Sequence, residues 1–379
     1  MPFTLTRPVS EIRVGILTLK QKWEFIPDAT VSVLTAEYLK EKFSSAKSED
    51  PIFVDSSILP DDKFVNSLRL LQRNQLLVHE GRMLAARCES SDLSVWKKLS
   101  PVSVPMPVCI DRIWNIFQFN GEQIRKDFIL LTRGRKSLSD TDPFTRIYNP
   151  ENVFIEDGVS LKACIINAEA GPVYLGKNSQ ILEGAIVRGP FALGEGAIVS
   201  MGAIIRGDTT IGPFCRVGGE VNNTVFFSHS NKAHDGFLGN AVIGSWCNLG
   251  AATTSSNLKN NFKRISIWNQ QMKNFEDTGL QFCGLMMGDH ATAAINTSFN
   301  TATWVGAGAR VIGSGFPPAY IPPFVQGGVS GFRTIPKREV TDSARRFYEL
   351  KKAEFSTVDK NLLGNAYELT SDFRNSALL

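Results

Sequence analysis

The sequence predicts an α/β amino-terminal domain, then a parallel β-solenoid of hexapeptide repeats, then a short C-terminal helix. Three observations carry this prediction. From about Asn149 the texture changes to short aliphatic-Gly steps with few charges. Leu175-Gly176, Leu193-Gly194 and Ile211-Gly212 recur at an interval of three hexads. Beyond Gly313, Phe316-Pro317-Pro318 and Ile321-Pro322-Pro323 remove backbone donors and end strand pairing.

Residues 1–148 mix helical patterns at 13–24, 36–43 and 62–71 with strand-like pieces at 31–34, 52–54, 76–78 and 82–86, an alternation that reads as an α/β domain. At 379 residues the chain suits two ordinary domains, because a single core stops growing at roughly 250 to 300 residues.

Residues 149–335 form the second domain. Ile181, Val187, Val199, Ile205 and Val217 fill the sixth positions between the aliphatic-Gly steps, so three hexads make one coil of a three-sided stack. Each flat side turns one large aliphatic inward, and corners take small residues that tolerate positive φ. The count resumes at Met287, Ala293, Phe299, Val305 and Val311. Between the blocks, about 253–282 breaks the period and is expected to project as a loop, a frequent place for binding. Spacing leaves the hand of the coil open, and leaves a right-handed solenoid or a sandwich with a fortuitous period as the alternatives. Residues 336–379 hold a helix at about 340–353 rich in Arg, Lys and Glu, with looser chain after it.

Composition excludes several classes. Lys and Arg number 41 against 37 Asp and Glu, spread without a basic block, which argues against nucleic acid. No apolar run approaches the ~20 residues needed to span a bilayer, and Met1-Pro2-Phe3-Thr4 lacks a secretory pattern, so a soluble cytoplasmic protein is expected and no membrane partner. Six cysteines without a CxxC pair read as buried reduced thiols.

Chemistry on a β-solenoid must use an outer face, the loop, or a groove between subunits. His234, in Lys232-Ala233-His234-Asp235-Gly236, is a candidate general base, since imidazole accepts a proton near neutrality as an amine attacks a thioester; a corner hydrogen bond is the alternative. Lys259 and Lys263 are candidate point charges for a sugar phosphate, with Asn248 and Asn257 as neutral partners, against a plain solvated loop. Asp289-His290 is expected to point out of the coil, as a corner contact or toward a coenzyme. His229 and His234 match the spacing of two zinc ligands in γ-class carbonic anhydrases, which Arg206-Gly207-Asp208 also resembles; with Leu193 where a third ligand belongs, no metal site is assigned.

From Lys232-Ala233-His234 to Lys263 the chain resembles the acetyltransferase half of the bifunctional N-acetylglucosamine-1-phosphate uridyltransferase/glucosamine-1-phosphate acetyltransferase. The shared order is a His, an aromatic three later, LG, IG, an Asn, LGA, then Asn and Lys. Nearly the whole chain is similar to a family of sugar nucleotidyltransferases related to that enzyme, through Leu5-Thr6-Arg7-Pro8, Arg13 to Thr18, Gly171-Pro172-Val173-Tyr174, Asn231 to Gly239, Asn257 to Asn261 and Gly288-Asp289-His290.

The resemblance implies a left-handed coil and a diverged nucleotidyltransferase-like domain over 1–148. It implies acetyl-CoA as co-substrate, an amino-sugar phosphate as acceptor, and a homotrimer with its sites between subunits. His234 matches the catalytic base, Phe237 stands where the family has Tyr, and Asn248 matches an acetyl contact. Asn257 and Lys263 match sugar-phosphate contacts, and Glu220 an acidic position. Gly250, Ala251 and His290 are the coenzyme-side candidates, with backbone N–H groups of 248–251 expected to hold the oxyanion. Asn222 replaces a phosphate-binding Lys and Leu258 a Tyr, which loosens the substrate assignment. Nucleotidyl transfer would use a nucleoside triphosphate, with Mg²⁺ only if the amino-terminal domain is active. The Gly-rich phosphate loop of that chemistry is missing, so either it has been lost or the chain starts after it. Arg7, Arg13, Lys22 and Asp111 are the remaining phosphate or metal candidates, each also readable as an ordinary surface or helix residue. A non-catalytic scaffold is the third reading.

Overall fold

The computed structural model describes residues 2–43, 48–139 and 142–375. Two compact units emerge, one of Pro8–Ile12 with Leu17–Arg112, the other of Met1–Arg7, Arg13–Ile16 and Ile113–Leu379.

The smaller unit is a four-stranded mixed sheet in the order Ile52–Val54, Arg82–Arg87, Gln75–His79, Ser100–Ser103. Glu80 and Gly81, both at positive φ, make the two-residue hairpin turn that right-twisted strands favour. Ile58, Phe64, Leu68, Leu77 and Leu84 form its core under the helix Asp62–Leu70, whose first turn is capped by Asp61 accepting from the Phe64 N–H at 2.8 Å. Two expectations change. The helix expected over 13–24 is confined to Leu19–Glu24, started by the Thr18–Gln21 capping box. Residues 31–34 join no sheet, and Leu34 is exposed.

The larger unit is a parallel β-solenoid. Its inward residues stack in three columns. One runs Ile155, Leu175, Leu193, Ile211, Phe226, Ile243, Met287, Val305, Ile321. A second runs Leu161, Ile181, Val199, Val217, Lys232, then Leu249, Ala293 and Val311. The third runs Ile147, Ile166, Val187, Ile205, Val221, Leu238, with Ser255 and Phe299 paired further along. Nearly every aliphatic member is at most 6% exposed, so burial along the stack is continuous.

The coils are less uniform than the period of eighteen implies. Ile211 pairs with Phe226 and Val217 with Lys232, each three residues short of a full coil. The solenoid opens at Arg146–Tyr148, ahead of Asn149, and closes with the antiparallel pair Val325–Gly328 and Gly331–Thr334, which ends the parallel ladder. The loop departs after Thr254–Ser255, which still belong to a coil, and carries its own hairpin, Ser266–Asn269 with Asn274–Asp277.

The helix Asn115–Thr132 belongs to the larger unit and packs on the solenoid. Asn120 accepts from the Gly15 N–H and the Thr210 hydroxyl and donates to the Asp208 carbonyl. Gly121 sits where a Cβ would lie 1.9 Å from an Asp208 carboxylate oxygen, so the helix approaches through a glycine. The C-terminal segment is also more ordered than expected: Lys337–Leu350 is followed by Thr357–Leu369 and Ser371–Asn375, and Val340, Ala344, Leu363 and Ala366 bury one face against Leu5, Ala307 and Phe324.

Candidate functional site

His234 lies at the corner joining the Ile181 column to the Val187 column, between inward Lys232 and inward Leu238. Its imidazole is exposed, and no side chain of the described residues is bonded to it. Its backbone carbonyl is held, accepting from Lys232 Nζ at 2.7 Å. The turn stacks tightly on the next coil: a Cβ at Gly236 (φ +117°) would stand 2.1 Å from the Thr253 carbonyl oxygen. Gly250 and Ala251 therefore occupy the neighbouring turn of the same corner, and Gly250 in turn must be small, since its Cβ would reach the Ile295 nitrogen at 2.5 Å.

Two of the backbone N–H groups expected to hold the oxyanion, those of Asn248 and Gly250, are already spent. The Asn248 N–H donates to the Ala291 carbonyl and the Gly250 N–H to the Ala293 carbonyl, so the ladder to the next coil already uses both. The Asn248 side chain remains. Its oxygen accepts from the Asn231 amide at 3.4 Å, which directs its NH₂ donors elsewhere, and Asn231 is itself held by Lys351 Nζ at 2.6 Å.

Glu220 and Phe237 face each other in register on the outside of the Val187 face, next to the His234 corner. Glu220 is ion-paired with Arg206 at 3.3 Å, both well exposed. At the far edge of that face Asn257 donates to Asn240 at 2.8 Å and anchors the projecting loop. Lys263 is exposed in the loop and Lys259 half-buried, donating to the Arg264 carbonyl. Ser256, Leu258, Lys259, Asn260, Asn261, Asn300 and Thr301 line an open groove of about 280 Å³. One face thus has the imidazole corner at one edge and the lysine-bearing loop at the other, with Glu220 and Phe237 between.

His290 does not join this group. It sits at the corner between the Leu175 and Ile181 columns, in a ring ladder with Trp246 (6.4 Å) and Tyr348 (6.2 Å). Asp289 is buried at 3% exposure, because Thr6, Arg7 and the Ser245 N–H all cover and donate to it. His229 belongs to the same ladder, stacked on Trp246 at 4.1 Å and facing Phe214 at 4.9 Å, one corner away from His234. Among the described residues no group of three or more His, Cys, Asp and Glu is placed to hold a metal.

The amino-terminal candidates are engaged as well. Arg7 pairs with Asp289 at 2.5 Å, Arg13 donates to the Ile16 carbonyl, and Lys22 is buried at 5% exposure. Asp111 is paired with Arg82 at 2.8 Å, so it does not offer Mg²⁺ an unpaired carboxylate. Sequence reasoning missed Lys232, whose inward position is hidden by the short coil before it, and Asn231, Asn240 and Lys351, which only the stacking of coils brings to the site.

The fold and this face define the class: an α/β unit joined to a parallel β-solenoid that displays an exposed histidine corner and a cationic loop on one side. Residues 1–136 match the family model described as sugar nucleotidyl transferase. No curated protein matches the chain. Among solved structures it is similar to the polySia-specific acetyltransferase NeuO at 11% identity over 55% of this chain and 91% of that one, with a TM-score of 0.29. It is also similar to the UDP-N-acetylglucosamine acyltransferases of Campylobacter jejuni (14% identity, 59% and 94% covered, TM-score 0.24) and Arabidopsis (15%, 63% and 94%, TM-score 0.24). At these identities and scores the likenesses carry no inference about this chain's chemistry.

Proposed function

We propose that this chain is an enzyme of sugar-nucleotide metabolism whose solenoid transfers an acetyl group from acetyl-CoA to an amino-sugar phosphate, with His234 as general base. The observation that carries the reading is the exposed, unengaged imidazole at the edge of a face that also holds Glu220, Phe237 and the lysine-bearing loop. In this reading the sugar amine attacks the thioester carbonyl while His234 takes its proton, and the C–N bond forms. The C–S bond then breaks and the imidazolium returns the proton to the coenzyme thiolate. The Asn248 NH₂ is the oxyanion donor, since the Asn248 and Gly250 backbone N–H groups are in use. Gly250 and Ala251 line the coenzyme side, while Asn257, Lys259 and Lys263 receive the phosphate. The resemblance of the His234 to Lys263 stretch supports these assignments and a homotrimeric enzyme.

A second reading, sugar-1-phosphate nucleotidyl transfer through the amino-terminal region, is favoured by the family match over residues 1–136. One experiment separates them: a mass-spectrometric screen of amino-sugar phosphates with acetyl-CoA, beside a panel of nucleoside triphosphates with sugar 1-phosphates, run on wild type and His234→Ala. Acetyl transfer that falls ~10² to 10⁴-fold in the variant supports the first reading, and full retention refutes it. Pyrophosphate release that survives His234→Ala supports the second. Binding of neither acetyl-CoA nor nucleotide leaves a scaffold.

A further inference from the structure

An apolar column has one cationic member. Lys232 takes an inward position of the Ile181 column, opposite Val217 in register, and is 1% exposed. An ammonium there loses its hydration and is costly unless its hydrogens are bonded. No carboxylate of the described residues pairs with it. Its partners are two backbone carbonyls on successive turns of one corner, Gly218 at 3.1 Å and His234 at 2.7 Å. The corner is shaped to admit it: at Gly219 (φ +71°) a Cβ would stand 2.9 Å from the ammonium nitrogen.

A methionine or leucine would fill the column as Val217 and Leu249 do, at lower desolvation cost. What the lysine adds is a bond to the backbone of the one residue in that turn with an exposed imidazole. We propose that Lys232 is a positioning residue: its ammonium ties the His234 carbonyl to the preceding coil and thereby fixes the turn that presents the imidazole. The inference rests on His234 acting as the base, although the tether can be measured without any activity.

The test uses the full chain and Lys232→Met, which keeps the length of the side chain and removes its donors. Three quantities are read: amide hydrogen exchange over 233–236, thermal unfolding, and acetyl transfer to the acceptor found by the screen. The tether predicts that exchange over 233–236 accelerates at least about 10-fold while the melting temperature holds or rises, because a buried charge has been replaced by an apolar group. It also predicts that kcat falls about 10 to 100-fold with KM within about twofold, and that Lys232→Met adds nothing to His234→Ala. A lysine needed only for packing would instead lower the melting temperature and leave kcat of the folded fraction unchanged, which overturns the proposal, as does unchanged exchange at the corner. If His234→Ala keeps full activity, the assignment of the base fails, and the exchange result still decides the tether.

Discussion

Asp289 and Arg7 lie 282 positions apart in sequence and form an ion pair at 2.5 Å whose side chains are only 4% and 13% exposed. The pair fastens the first residues of the chain onto the solenoid. Burial by itself would raise the Asp289 carboxyl, but Arg7 beside it and the donating Thr6 hydroxyl outweigh burial and hold it below the usual carboxylate range.

Asp289→Ala should destabilise the larger unit by ~3 to 5 kcal/mol in denaturant melts near neutral pH, since it leaves the Arg7 charge without its partner. The sign in pH follows. A carboxyl lowered on folding contributes stability above its unfolded value, and that contribution disappears as pH falls through the folded value. The wild type should therefore lose its advantage over the variant on acidification; a pH-independent difference would show that the pair is not linked to folding.

Lys232 predicts the opposite limb. Burial lowers its amine to about 8, against 10.5 for the free side chain, with Asp235 only partly offsetting the effect. Between these values the unfolded chain binds the additional proton, so stability from this residue rises with pH across that window, by on the order of 3 kcal/mol. Chemical denaturation at pH 7.5 and pH 10 should show the gain in wild type relative to Lys232→Met. An equal change in both proteins would mean that burial does not lower the Lys232 amine.

Adjacent isoleucines test the pleat. Ile205 is 1% exposed in the Val187 column, while Ile204 is 47% exposed on the outside of the same strand. Ile205→Ala should cost ~2 to 4 kcal/mol, and Ile204→Ala within about 0.5 kcal/mol, by urea melts of the two variants. Equal losses would mean that the alternation of inward and outward side chains is wrong.

All six cysteines are free and buried, and burial pushes the Cys109 thiol up to about 11 and Cys215 and Cys283 up to about 12. Native protein should react with a disulfide reagent at pH 8 at least about 100-fold more slowly than the guanidinium-unfolded chain, in which six thiols become available. Rapid reaction of any one in the native state would place it at the surface.

Much of the solenoid could be read from residue order because its period is local. Leu175, Leu193 and Ile211 announce their own column, and the positive-φ corners lie between such steps. The candidate site was legible only where it copied a familiar motif, at His234, Asn248 and Asn257. Its near neighbours were not: Asn231 reaches Asn248 and Asn257 reaches Asn240 through coil stacking, at separations no short pattern records.

A repeated aliphatic step every six residues is enough to dictate a three-sided ladder, because each coil buries its apolar side against a copy of itself. That rule says nothing of departures from the repeat. Coil lengths that shorten at Phe226 and Lys232, a lysine turned inward, an aspartate covered by Arg7, and backbone N–H groups of Asn248 and Gly250 consumed by the next coil were settled in three dimensions. The reason is physical: whether a charge is buried or a donor is already spent depends on groups that come from distant parts of the chain and meet only when the coils close.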